Sequence, residues 1–446
     1  MVCLPVVVSG WGWRLAAVPA CVLLAVPVPV HAPAASAGGH RPVAAAVPAV
    51  PCPAPRPVAT RPPRPSTPPD DPLLRTVGGA ELATAGLVVP PGRTAPPAVT
   101  ASSWMVADLG SGAVLGGCAP HDYAVPASTQ KLLLAATLLP RLDPRQVVTV
   151  TRADLGFEPG SSAVGLLEGG RYPVETLWLG LLLDSGNDAA NVLARIGGGD
   201  AGVAGTVQAM NAHARWLGAL QTHAVTPSGL DGPGQLTSAY DLALIARACF
   251  AGDAFRRYAA TQRTRIPAQP PMDPRGFEIQ NDNQLLLRYP GALGGKTGFT
   301  TLARHTFVGV AERDGRRLVV TLLRAEAQPV RSWQQAAALL DWGFALPRDA
   351  SVGRLVEPGE EILASPSPAG PDRAPAAEAS TSAVAGLTGA WSSAAWPMLV
   401  LAMIVAASAV VPIATVRRWP RRPHARRQPR PPGRGGERDD RGARLR

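Results

Sequence analysis

Two lysines stand in a chain of 446 residues that carries 41 arginines, Lys131 in "PASTQKLLLAATLL" and Lys296 in "GGKTGFT". An Ala-, Pro-, Gly- and Arg-rich composition replaces surface lysine by arginine, so the positions that keep lysine are the informative ones. Ser128 and Lys131 are three residues apart. If Ser128 begins a helix, the amine and the hydroxyl share one face and meet. A serine needs a base to become nucleophilic, and a lysine among apolar neighbours loses its proton near neutral pH. Arginine cannot take this role, because its pKa stays above about 12. The run "LLLAATLL" after Lys131 predicts a helix buried on most sides.

Two further clusters complete a possible acyl-transfer site. In "LDSGNDAAN", Ser185 and Asn187 lie between two helical patterns. A hydroxyl there can relay a proton and an amide can hold a substrate carbonyl. Helix capping by Ser185, Asn187 or Asp188 is the plain structural alternative. In "KTG", Lys296 and Thr297 offer charge and a hydroxyl to a terminal carboxylate, and Gly298 lets a ligand backbone lie close to the predicted strand. The backbone N–H groups of Ser128 and Phe299 are candidates for an oxyanion hole.

Taken in order, S-x-x-K, S-x-N and K-T-G resemble the three signatures of penicillin-binding proteins and serine β-lactamases. Ser128 precedes Ser185 by 57 residues and Lys296 by 168. The flanks "SGNDAANVLA", "MNAHARWLG", "TPSGLDG" and "NDNQLLLRYPGALGGKTGFT" are similar to the serine D-alanyl-D-alanine carboxypeptidases, the low-molecular-mass penicillin-binding proteins. The resemblance covers about residues 100–346. It implies removal of the terminal D-alanine from peptidoglycan pentapeptide stems through an acyl-enzyme on Ser128. It also implies Lys131 as base, Ser185 as proton relay, and Asn187, Lys296, Thr297 and Gly298 as substrate-binding residues. β-Lactams are then substrate mimics, and neither a metal nor a cofactor is expected. The alternatives on the same scaffold are a serine β-lactamase and a non-catalytic penicillin-sensing or wall-binding homologue. Residues 201–230 contain no Asp or Glu, which disfavours the commonest β-lactamase deacylation. Thr226 stands where many relatives carry asparagine, and Arg304 where they carry glycine.

The elements that position these residues follow from hydrophobic period. "SSWMVADLGSGAVLGG" reads as a hairpin, residues 174–196, 206–220 and 238–252 as helices, "GGKTGFT", "HTFVGVAERDG" and "RRLVVTLLRAE" as strands with a turn at "RDGR", and "SWQQAAALLDWGFAL" as a closing helix. The expected class is α+β: the penicillin-binding/serine β-lactamase-like transpeptidase fold, an antiparallel sheet flanked by helices with an inserted all-helical lobe. "GGGDAG" from Gly197 fits the dinucleotide-binding pattern G-x-G-x-x-G but follows a helix rather than a strand, and is read as a loop.

Outside this domain the chain is read by composition. Residues 1–37 resemble a secretory signal, with an apolar run and small residues near Ala34 and Ala37. Residues 38–94 read as a Pro/Ala-rich linker, with 12 prolines among positions 41–72. The catalytic domain is placed at 95–347, and a second Pro/Ala/Ser-rich linker at 348–394 takes the place of the β-rich C-terminal domain of many relatives. Residues 395–416 carry no charged side chain and are long enough to span a bilayer.

The formal charge is +11, but residues 417–446 hold 12 arginines against three acidic residues, a net +9, which leaves +2 for the rest. This basicity belongs to a tail on the cytoplasmic side of a single-pass anchor, not to a nucleic-acid-binding face. The catalytic domain is accordingly expected outside the cytoplasm. Of the cysteines outside the signal, Cys52, Cys118 and Cys249, one disulfide or three free thiols are both compatible with the sequence.

Overall fold

A computed structural model describes residues 49–55 and 61–361 of the chain. The expected signal at 1–37, the span at 395–416 and the tail at 417–446 lie outside the described residues, as does most of 348–394. Among the described residues no helix is long and apolar enough to cross a membrane.

The elements run in the order α1 (Pro72–Arg75), β1 (Leu87–Val88), β2 (Ser103–Asp108), β3 (Ala113–Cys118), α2 (Lys131–Leu138), β4 (Val147–Thr149), β5 (Arg171–Pro173), α3 (Val174–Leu183), α4 (Asn187–Gly197) and α5 (Gly202–Trp216). They continue as α6 (Ala239–Ala251), α7 (Asp253–Ala259), β6 (Arg263–Ile266), β7 (Phe277–Gln280), α8 (Gln284–Arg288), β8 (Ala292–Thr300), β9 (Arg304–Arg313), β10 (Arg316–Ala325), α9 (Ser332–Ala345) and β11 (Gly353–Arg354). The main sheet has the order β1-β3-β2-β10-β9-β8, with β11 also on β3, and every pairing is antiparallel. The α+β architecture with a helical insertion between β3 and β8 is the expected one. The small hairpins β4–β5 and β6–β7 are additions that the sequence reading did not contain.

Alternation along the central strands explains the layering. Trp104 and Val106 of β2, with Leu318, Val320 and Leu322 of β10, face Ala336, Leu339 and Leu340 of α9. Met105 and Ala107, with Val319 and Leu323, face the helical lobe. The i, i+3, i+4 spacing on α9 supplies one apolar stripe, so this helix covers one face only. In α2 seven of eight residues are buried, Lys131 among them, as expected for a helix apolar all round.

The folded unit extends beyond the 95–347 assigned by composition. At the N-terminal side, Leu87 N–H donates to Val50 O at 2.8 Å and Val99 N–H to Pro53 O at 3.2 Å. Cys52 forms a disulfide with Cys118, which leaves Cys249 as a buried free thiol. Arg324 donates to Pro62 O at 2.9 Å, Arg64 pairs with Asp122 at 2.8 Å, and Arg61 binds Thr100 O and Glu326. The described part of the proline-rich segment is therefore a strap fastened to the domain. At the other side β11 pairs with β3, and Val352, Leu355 and Val356 are buried. Composition averages over proline and alanine, and so hides the few apolar and arginine side chains that dock these segments.

The disulfide closes a separation of 66 residues. Replacing Cys52 and Cys118 together by alanine lowers the unfolding free energy by about 2–5 kcal/mol, measured as a lower urea midpoint. An unchanged midpoint would show that the disulfide adds nothing to the stability of the fold.

Candidate active site

Pro126 leads into a 3-10 turn, Ala127–Gln130, and α2 begins only at Lys131. Ser128 thus sits in a 3-10 turn rather than at the start of an α-helix, and in that geometry residues three apart eclipse. The Lys131 Nζ lies 2.9 Å from Ser128 Oγ and 2.7 Å from Asn187 Oδ1. Ala127 has φ of 48°, a left-handed conformation unusual for a residue with a side chain. Such strain is tolerated where packing fixes the backbone from all sides. Here Gly229, at φ +90°, packs so closely on Ala127 O that a Cβ would collide with it.

Lys131 is fully buried and makes no hydrogen bond to a carboxylate among the described residues. Its burial, and secondly the nearby charge of Lys296, push its pKa well below the ordinary lysine value, against a weaker upward pull from Asp188. An amine of this kind can accept the serine proton, so the pair can generate an oxygen nucleophile.

Ser185 occupies the connection between α3 and α4 at φ of 60°. Its Oγ is buried without a hydrogen-bond partner among the described residues and lines the cleft. Asn187 is the first residue of α4, and besides Lys131 it binds Ser161 Oγ through Nδ2 at 3.0 Å. Asp188, which the sequence offers only as a cap, accepts N–H bonds from Val164, Gly165 and Leu166 at 2.9–3.0 Å. It holds the loop that carries Ser161 and Ser162 to the cleft rim. Side-chain polarity beside S-x-N was the only signal for it, and nothing in the sequence pointed to Ser161.

Lys296, Thr297, Gly298 and Phe299 lie on β8, the edge strand opposite the 3-10 turn. A Cβ on Gly298 would stand 2.8 Å from Ser128 N and would also strike Thr306 Oγ1. Only glycine allows this strand to approach the serine turn. Thr306 Oγ1 in turn donates to Pro126 O at 2.8 Å.

Lys296 is buried and donates to Thr297 O at 2.9 Å. Burial lowers its pKa to about 8, with Asp282 and Asp184 pulling the other way. Desolvation chiefly, then Asp282 and Asp188, raises the Asp184 carboxyl to about 6. Asp282 and His305 also line the cleft and had no place in the motif reading.

The cleft has a volume of about 320 Å³. Ser128, Ser185, Asn187, Thr297, Gly298 and Phe299 face it, and Lys131 and Lys296 are buried behind them. All eight residues singled out from the sequence are thereby brought to one place. Among the described residues no group of three His, Cys, Asp or Glu side chains is placed to hold a metal.

The two departures from the family pattern have structural counterparts. Thr226 Oγ1 accepts from Gly229 N–H at 3.1 Å, so it supports the turn that presses on Ala127. Arg304 adopts φ of 58°, where glycine would be unstrained. Its guanidinium grips Glu326 at 2.8 and 3.0 Å in a two-pronged pair, which offsets that cost.

Comparison with known proteins agrees with this geometry. Residues 91–327 match the family described as D-alanyl-D-alanine carboxypeptidase. The D-alanyl-D-alanine carboxypeptidase DacB2 of Mycobacterium tuberculosis is 47% identical over 274 residues, 60% of this chain and 90% of that protein. DacD of Escherichia coli is 35% identical over 56% of this chain, which spans 64% of that relative's length. A crystal structure of a D-alanyl-D-alanine carboxypeptidase from M. tuberculosis superimposes with a TM-score of 0.57 at 46% identity, over 60% of this chain and 100% of that one. The Streptomyces K15 DD-transpeptidase gives 0.54 at 28% identity, over 57% and 100%. With its serine–lysine centre in this fold, the chain belongs to the serine-type D-alanyl-D-alanine carboxypeptidase family, hydrolases of the penicillin-binding class.

Proposed function

We propose that this protein removes the terminal D-alanine from peptidoglycan stem peptides by way of an ester on Ser128. The observation that carries the reading is the fully buried Lys131 amine 2.9 Å from Ser128 Oγ. The neutral amine takes the Ser128 proton as Oγ attacks the carbonyl carbon of the penultimate D-alanine. The backbone N–H groups of Ser128 and Phe299 receive the developing oxyanion. The C–N bond then breaks, and the leaving amine gains its proton through Ser185, whose unpartnered Oγ is free for that relay. Water hydrolyses the ester, returning Ser128 and free peptide.

Lys296 and Thr297 hold the carboxylate of the departing D-alanine, Asn187 orients the peptide, and Gly298 gives it room beside the strand. β-Lactams acylate Ser128 by the same path. No step calls for a metal or a cofactor. A β-lactamase reading has no comparable support, since the named relatives are carboxypeptidases and the 201–230 segment is free of Asp and Glu. A non-catalytic role is disfavoured by the complete set of groups around Ser128.

The catalytic domain is placed outside the cytoplasm on a single span at 395–416, with the arginine tail inside and in contact with the lipid surface rather than nucleic acid. The apolar span and flanking arginines support this, and the Cys52–Cys118 disulfide suits an oxidising compartment.

Ser128→Ala abolishes both labelling by a tagged penicillin and D-alanine release from diacetyl-Lys-D-Ala-D-Ala; either activity surviving would remove Ser128 from the mechanism. Lys131→Arg keeps the fold and slows acylation by about 10²–10⁴-fold, measured by penicillin labelling beside circular dichroism; undiminished acylation would mean that Lys131 is not the base. Lys296 is charged below its pKa of about 8 and neutral above it. KM for the carboxylate substrate therefore rises as pH passes through about 8, whereas a Lys296→Arg variant keeps its charge and loses this upturn. A KM flat to pH 10 in the parent protein would contradict the role.

A further inference from the structure

Which end of the Asn187 amide meets Lys131 decides what the amine can do. A neutral amine carries two N–H donors and one lone pair. Facing Oδ1, as it does at 2.7 Å, the amine donates, and its lone pair stays available to the Ser128 hydroxyl 2.9 Å away. Facing Nδ2 instead, the amine would accept an N–H from the amide and lose that lone pair to it. The two ends of an amide are nearly equal in shape, so packing alone does not choose between them.

The choice is made one step further from the serine. Asn187 Nδ2 donates to Ser161 Oγ at 3.0 Å, and Ser161 Oγ donates to Glu158 O at 2.6 Å. A backbone carbonyl only accepts, so the Ser161 proton is committed to Glu158 and Ser161 Oγ is left to accept from Asn187. Direction therefore passes back along the row, from Glu158 through Ser161 and Asn187 to Lys131.

The loop that carries Ser161 is fastened well enough to hold this order. Ser161 N–H also donates to Glu158 O at 3.2 Å, and Asn187 N–H donates to Ser162 O at 2.9 Å. Asp188 takes the N–H groups of Val164, Gly165 and Leu166. Val164 lies so close to Gly180 and Gly186 that a Cβ on either would collide with its Cγ2.

We propose that Ser161 is a positioning residue for acylation, which with Glu158 O holds the Asn187 amide in the one orientation that leaves the Lys131 lone pair free for Ser128. This rests on the serine–lysine reading of the cleft and is tested apart from it. The groups whose charge bears on Lys131 are Lys296 of β8 and Asp188 of α4, and both are kept in every variant below.

The full chain is labelled with ¹³Cε-lysine, and Lys131 is titrated by NMR in the parent protein and in Ser161→Ala and Ser161→Thr. Alanine frees the amide to turn. The neutral amine then gains a donor from Nδ2 while the ammonium still prefers Oδ1, so Lys131 titrates at lower pH than in the parent. The plateau rate of penicillin labelling falls about tenfold, the cost of one misdirected buried hydrogen bond, and the acid limb of its pH profile moves to lower pH. Threonine keeps the hydroxyl and restores both. A cleft merely loosened by the alanine would admit water and shift Lys131 the other way, toward the ordinary lysine value.

A Lys131 titration that stays in place or moves upward in Ser161→Ala, or a threonine variant that behaves like alanine, would overturn the proposal. Absence of penicillin labelling in the parent protein would count against the serine mechanism, while the titration, which needs no turnover, still judges the amide.

Discussion

A lysine amine held out of water against a serine hydroxyl is the constraint on which the site depends. Burial disfavours the charged amine by removing its hydration, and among the described residues no carboxylate bonds to Lys131 to restore the balance. Keeping that state requires α2 to be enclosed on all sides, which the sheet and the surrounding lobe helices accomplish through Leu132, Leu133, Leu134 and Leu138. The same enclosure puts the second amine, Lys296, close enough to lower the pKa of the first. Lys296 keeps more of its charge because Asp282 and Asp184 lie near it. Two lysines in one site are thus driven apart in role by the acids around them.

Close approach sets the rest of the geometry. The serine turn meets β8 through Gly298 and the 226–229 turn through Gly229, and both contacts exclude a Cβ. Left-handed backbone at Ala127 and Ser185 aims the two hydroxyl-bearing segments into one cleft. These local costs, on the order of 1–3 kcal/mol each, are borne by the sheet and the helical lobe on either side. The scaffold is therefore rigid where the chemistry needs separations near 3 Å.

Much of this was legible in the sequence, and the reason is spacing. S-x-x-K is short enough that local geometry alone joins Ser128 to Lys131, and a run of leucines announces the burial of the helix. The strands around Trp104, Phe307 and Val319 are short apolar runs joined by tight Gly-containing turns, which is enough to show an antiparallel sheet. Less legible were features made by contacts distant in sequence. Ser128 lies in a 3-10 turn because β8 and Gly229 press on it from segments 100 or more residues away. Asp188 and Asp282 act through loops whose positions no periodicity predicts. The strap looked like a spacer because proline dominates its composition, yet Cys52, Arg61 and Arg64 fasten it. The pairing of Cys52 with Cys118 rests on that docking, and Arg304 holds its left-handed backbone because Glu326 is opposite.

The scarcity of lysine makes the central claim directly measurable. Since Lys131 and Lys296 are the only lysines in the chain, selective ¹³Cε-lysine labelling yields two resonances, and a Lys296→Arg variant assigns them. A pH titration of these signals by NMR reads each amine by itself. The account predicts that Lys131 titrates well below the ordinary lysine value of 10.5, and that Lys296 titrates at about 8. A Lys131 amine that stays protonated up to the ordinary lysine range would contradict it, because a charged amine cannot take the proton of Ser128.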